Sequence, residues 1–222
     1  FPTGPWPHDV HVSEDGKRIF VASLGDMLED EAVRNESGKA YRITVADSNT
    51  LKVLREYDFQ SGIRPFQITG DESRLFAQLS NTHSIVAHDL KKGEPLGRID
   101  LPVADGVTEE DWDFEAPHHG LALSADEQTL CVAGRASDYV AVVAANDLSL
   151  IKTIPVGNAP SWAAIASDGD ICIVANTRSD DVSLVSLSGQ QEIARLPAGR
   201  GAKHVTIGLV PEAVLDRLTL TP

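Results

Sequence analysis

Three stretches of the chain set histidine at what read as turns into strands: Trp6-Pro7-His8-Asp9, Pro117-His118-His119 and Ala202-Lys203-His204. Neutral imidazoles converging from separate strands are what a zinc, copper or manganese ion requires, with nitrogens about 2 Å from the metal. His8, His119 and His204 are therefore the candidate ligands of a divalent metal ion. The same imidazoles, His8, His118, His119 and His204, are candidate catalytic bases near neutral pH. Arg64, Arg135, Arg178, Arg200 and Lys203 are the candidate contacts for an anionic substrate or ligand, because guanidinium and ammonium groups pair with carboxylates and phosphates. Trp6 and Trp112 join them as candidate binding residues, and with Phe114 would give a partner apolar anchors. A plainer role is open for the basic residues: they neutralise nearby acidic loops, with Arg178 paired to Asp180 or Asp181.

The elements that must hold these residues are legible as a repeat. The segments PHDVHVSEDGKRIFVAS (7–23), PFQITGDESRLFAQLS (65–80), PHHGLALSADEQTLCVAG (117–134) and PSWAAIASDGDICIVAN (160–176) share one plan. Each runs from a proline through a short alternating stretch to a polar turn, then a second stretch ending in small residues. The turn aspartates are Asp15, Asp71, Asp126 and Asp168, two of them followed by glycine. Two 13-residue insertions, GDMLEDEAVRNES (25–37) and VADGVTEEDWDFE (103–115), lengthen the first two intervals. Without them the period is about 42 residues, within the range of four-stranded propeller blades. Alternation then predicts third strands over 40–47, 84–90 and 139–145 and fourth strands over 51–57, 96–102 and 150–156. Helix is expected only around Met27–Val33 and over 211–218.

The run IPVGNAPSWAAIASDGDICIVANTRSDDVSLVSL, with VASLGD and VAGRASDYVAVV elsewhere, resembles the YVTN-type β-propeller repeat of YncE-like and surface-layer proteins. The second unit, LFAQLSNTHSIVAHD, matches mainly by position. The resemblance implies an all-β propeller of four-stranded antiparallel blades, in a family whose propellers commonly have seven. About four complete blades are present, in units near 5–60, 61–102, 116–156 and 157–198. A further blade is expected to start at 199–210, ahead of a C-terminal tail at 211–222. Phe1-Pro2-Thr3-Gly4 aligns with Ile154-Pro155-Val156-Gly157, so residue 1 reads as the end of a blade. Missing blades would then come from upstream chain or another chain, with a four- or five-bladed assembly the alternative. The resemblance is specific for fold rather than function, since related propellers include lactonases, lyases and reductases. Histidine after this proline is common in such repeats without any site.

Strand order puts both insertions on one face, together with the histidine-bearing blade entries. The insertions carry five acids with one arginine, and six acids with no base, so they supply ten of the chain's fourteen net negative charges. A solvated loop is the default for such acids, and a weak cation site or basic protein partner the alternative. Counted from Gly4, Gly157 and Gly199, Lys203 matches His8, while His204 matches Asp9 and Trp162. Either His118 or His119 matches His8, depending on the starting point. His11, His83 and His88 are assigned no role.

A net charge of −14 disfavours nucleic acid. No apolar run long enough to span a membrane is present. The first residues lack the order of a signal peptide, which is expected to have been removed if one existed. Cys131 and Cys172, each inside an apolar run, read as small buried hydrophobes rather than a disulfide or metal pair. No GxSxG, HExxH, P-loop or dinucleotide fingerprint occurs. The sequence thus predicts an extracellular or periplasmic binding or interaction module that presents an acidic, loop-decorated face to a protein or small anionic ligand. The alternative is a propeller enzyme of lyase, lactonase or reductase type working from the channel-mouth histidines.

Overall fold

A computed structural model describes residues 1–36, 41–208, 210, 211 and 214. The chain is all-β, built as four four-stranded antiparallel sheets arranged like propeller blades. Blade 1 holds β1 (Pro7–Val12), β2 (Arg18–Ser23), β3 (Arg42–Asp47) and β4 (Val53–Asp58). Blade 2 holds β5 (Ile63–Ile68), β6 (Arg74–Leu79), β7 (Ser84–Asp89) and β8 (Glu94–Asp100). Blade 3 comprises β9 (Leu121–Leu123), β10 (Thr129–Gly134), β11 (Tyr139–Ala144) and β12 (Leu150–Pro155). Blade 4 comprises β13 (Pro160–Ile165), β14 (Ile171–Asn176), β15 (Asp181–Ser186) and β16 (Gln191–Pro197). Strands pair in chain order within each blade, and the first strands stand side by side, β1 on β5, β5 on β9, β9 on β13.

The repeat's turn works as its residue types demand. Asp15, Asp71, Asp126 and Asp168 each accept a hydrogen bond from the backbone N–H two residues on, at 2.9–3.0 Å. The residue after the aspartate is left-handed in every blade: Gly16, Glu72, Glu127 and Gly169 all have positive φ. The non-glycine cases persist because the aspartate bond closes the turn around them.

Alternation along the second strands directs side chains to both neighbouring blades. On β6, Leu75 and Ala77 pack with Phe20, Ile43 and Val45 of blade 1, while Phe76 packs with Leu130 and Val132 of blade 3. On β10, Cys131 and Ala133 turn the other way, onto Cys172 and Val174 of blade 4. Each pair of successive blades therefore shares its own apolar core.

Cys131 and Cys172 are both fully buried and form a disulfide linking blades 3 and 4. This corrects the expectation of two unlinked hydrophobes. Their separation of 41 residues is one short of the repeat. That single step puts the two side chains on opposite faces of their strands, and these are the faces that meet.

Two further expectations change. The helix of the first insertion, α1, runs Glu31–Glu36 instead of starting at Met27. Asp26 binds the N–H of Leu28 into a turn, and Asp30 then occupies the cap, its carbonyl accepting from Arg34 at 3.0 Å. Among the described residues, 204–208 form no strand. Among the described residues the segment pairs with no second strand, and His204 stacks on Trp162 of β13. The helix expected over 211–218 lies, apart from Pro211 and Val214, outside the described residues. No helix among the described residues is long and apolar enough to cross a membrane.

Candidate functional site

A β-bulge at the start of the first strand decides which residues reach the axis. Pairing is interrupted between Pro7 and Asp9, between Ile63 and Phe66, and between Pro160 and Trp162. A bulge re-aims the side chain at the extra residue. Asp9 pairs with Ala22 and Trp162 with Ala175, while Gly120 accepts from Ala133 N–H at 2.8 Å. His8, His119 and Ser161 therefore occupy one equivalent position, which the two ways of counting the sequence leave open in blade 3.

His8 and His119 meet at the channel mouth, their Nε2 atoms 3.1 Å apart. His119 is 3% exposed. Gln78 fixes the chain beside it, accepting from Gly120 N–H at 2.8 Å and donating to Gly120 O at 3.0 Å. Gly120 must be glycine, since a Cβ there would lie 2.9 Å from Trp162 Cα and Ala133 Cβ. The other ring nitrogen of His119, Nδ1, donates to the Ser161 carbonyl at 2.8 Å. Burial first, with the Arg64 cation adding to it, pushes His8 down to about 4 and His119 to about 3. Both rings are therefore neutral near neutral pH.

His118 points away from the axis, into the interface between blades 2 and 3. Its Nε2 bonds the Tyr139 hydroxyl at 3.0 Å, and that hydroxyl donates to Pro102 O at 2.7 Å. His83 stacks edge-on between His118 and Trp112. Trp112 packs on His83 and is not among the residues that line the cavity described below. His204 stacks on Trp162 with ring centroids 4.0 Å apart, and Lys203 takes the place beside His8 and His119. Among the described residues no group of three His, Cys, Asp or Glu side chains is placed to hold a metal ion. The expected three-imidazole centre is thus reduced to a pair, because Lys203 and not His204 shares the register of His8.

The pair borders a cavity of about 440 Å³, lined also by Arg64, Arg135, Lys203 and Asp113. The second insertion forms its lid. Arg64 donates from Nε to Ser80 Oγ at 2.9 Å and from Nη2 to the Phe114 carbonyl. Arg34, from the first insertion, bonds Glu115, so the two insertions meet on one face as strand order requires. These anchors hold Phe114 and Glu115 in left-handed backbone, unusual for non-glycine residues. Burial lowers Arg64 to about 10, leaving it charged, and lowers Lys203 as well.

Among the described residues Asp113 is the one carboxylate lining the cavity, and two arginines hold it: Arg135 at 2.7 Å and Arg178 at 2.9 Å. Arg178 thus pairs with neither Asp180 nor Asp181. Both arginines neutralise a carboxylate of the acidic second insertion. Arg200 is exposed and lies off the cavity. Trp6 lines it, with its indole N–H donating to Asp26 at 3.2 Å. Sequence reading missed Asp113 as a site residue and the carbonyls of Phe114 and Ser161, since backbone groups leave no residue-type signal.

The fold is that of a β-propeller, and solved structures agree. The chain is similar to hydrazine synthase from Kuenenia stuttgartiensis, with TM-score 0.65 and 17% identity over 88% of this chain and 50% of that one. It is also similar to a protein of unknown function from Desulfotomaculum acetoxidans, with TM-score 0.69 and 14% identity over 90% of this chain and 59% of that one. The chain therefore spans between half and three fifths of the length of these structures. No family profile and no curated protein matches the sequence.

Proposed function

We propose that the chain is a binding module of YVTN/YncE-like kind that takes a small anionic ligand in the lidded cavity at its channel mouth. The observation that carries this is the charge facing the cavity. Among the described residues Arg64, Arg135 and Lys203 line the cavity with a single carboxylate, Asp113, in a chain that is acidic overall. Lys203, exposed at the cavity, forms no ion pair among the described residues and is free to take a ligand anion. The exposed acids of the lid would repel anions from the rim, which favours a small ligand over a large polyanion. A metal-dependent enzyme has less support, since two imidazoles beside three cations are a poor setting for a dication. The Cys131–Cys172 bond supports an oxidising address, extracellular or periplasmic. Blades beyond these four, from the same or another chain, would complete the ring.

Calorimetric titration with acetate, phosphate and sulfate tests the reading. At least one should bind, with affinity about tenfold weaker in Lys203→Ala. No binding up to about 10 mM ligand, or binding untouched by that substitution, would overturn it.

A further inference from the structure

Hydrogen-bond logic at the histidine pair narrows the ligand class, on the assumption that the cavity is the anion site. A carbonyl oxygen only accepts, so the 2.8 Å contact with Ser161 O puts the proton of His119 on Nδ1. The neutral ring then has a bare lone pair at Nε2. His8 Nε2 lies 3.1 Å from that lone pair and must be its donor. A neutral His8 donating through Nε2 carries no proton on Nδ1, and Nδ1 makes no hydrogen bond among the described residues. It is not among the sealed, unpartnered polar atoms either, so it is open to solvent, on a residue that lines the cavity. The cavity therefore offers cations on one side and an acceptor on another. A bare carboxylate satisfies the cations but sets a second lone pair against His8.

The geometry points to a ligand that carries its own hydrogen-bond donor next to its anionic group: a hydroxy-carboxylate type of anion, with His8 as the specificity-determining residue. The anionic oxygens pair with Lys203 and Arg135, and the hydroxyl donates to His8 Nδ1. Ser161 O acts through His119 as a positioning group, because it alone sets the tautomer of both rings.

Matched ligands test this without altering the protein. Glycolate should bind about tenfold more tightly than acetate, and lactate than propionate, near pH 7.5. In His8→Phe, which keeps a ring against His119 but removes the acceptor, each ratio should fall to about one. The 15N shift of His8 Nδ1 in labelled wild-type protein should be that of an unprotonated ring nitrogen, and should move on adding glycolate. Equal binding of glycolate and acetate, both weakened by Lys203→Ala, would overturn the inference and leave the anion site standing. No binding of any of the four would overturn the inference, and no binding of phosphate and sulfate as well would overturn both. A protonated His8 Nδ1 would overturn the tautomer chain, as would a hydroxyl preference that survives His8→Phe.

Discussion

Acid should weaken this protein through His118, and the size of the effect follows from its surroundings. The Tyr139 hydroxyl spends its proton on Pro102 O, so His118 must donate to it from Nε2. That leaves Nδ1 bare, buried and unpartnered among the described residues. Protonation would place a charge between blades 2 and 3 beside His83, whose own charge opposes it. Burial first, and His83 second, push His118 from 6.5 down to about 3. The unfolded chain therefore takes up a proton below about pH 6.5 that the folded chain refuses until about pH 3, so stability falls with pH across that window. The contribution is fully present above pH 6.5. Each pKa unit is worth about 1.4 kcal/mol, so at about pH 5 this one group costs about 2 kcal/mol. His8 and His119 act in the same direction.

The perturbation is His118→Gln, whose amide still donates to Tyr139 but does not titrate. Urea unfolding near pH 7.5 and near pH 5 gives a stability difference for each protein. The variant will be less stable at both, yet its difference should be smaller than that of wild type by about 2 kcal/mol. An unchanged difference would refute the reasoning.

Other consequences follow from single features. Reducing the Cys131–Cys172 bond, or replacing both cysteines with serine, should cost about 4 kcal/mol by the loop-entropy argument for a separation of 41 residues, read as a lower melting temperature. Asp113→Asn removes the one carboxylate that lines the cavity among the described residues, so anion affinity measured by calorimetry should rise severalfold, by about 1 kcal/mol. Phe76→Ala empties a fully buried site between blades 2 and 3 and should cost about 3–5 kcal/mol in urea unfolding.

Local chemistry made much of the architecture readable in advance. A proline-led strand, an aspartate turn and a small-residue second strand recur with a fixed period, and each is a short-range signal. All four blades, the positions of the third and fourth strands, and the shared face of the two insertions came from that pattern. Charge was readable too, though only as composition: nothing in EEDWDFE distinguishes Asp113, clamped by two arginines, from its exposed neighbours.

Contacts between blades were decided by tertiary structure. The sequence alone determined that Cys131 and Cys172 sit in apolar strands, but pairing them depends on which faces of adjacent blades meet. It likewise determined that histidines cluster at blade entries. Which of them converge depends on bulges that re-aim side chains across the axis, a displacement of one residue that no local pattern records. His8 and His119 are 111 residues apart, and only the closing of successive blades around a common axis brings their Nε2 atoms to 3.1 Å.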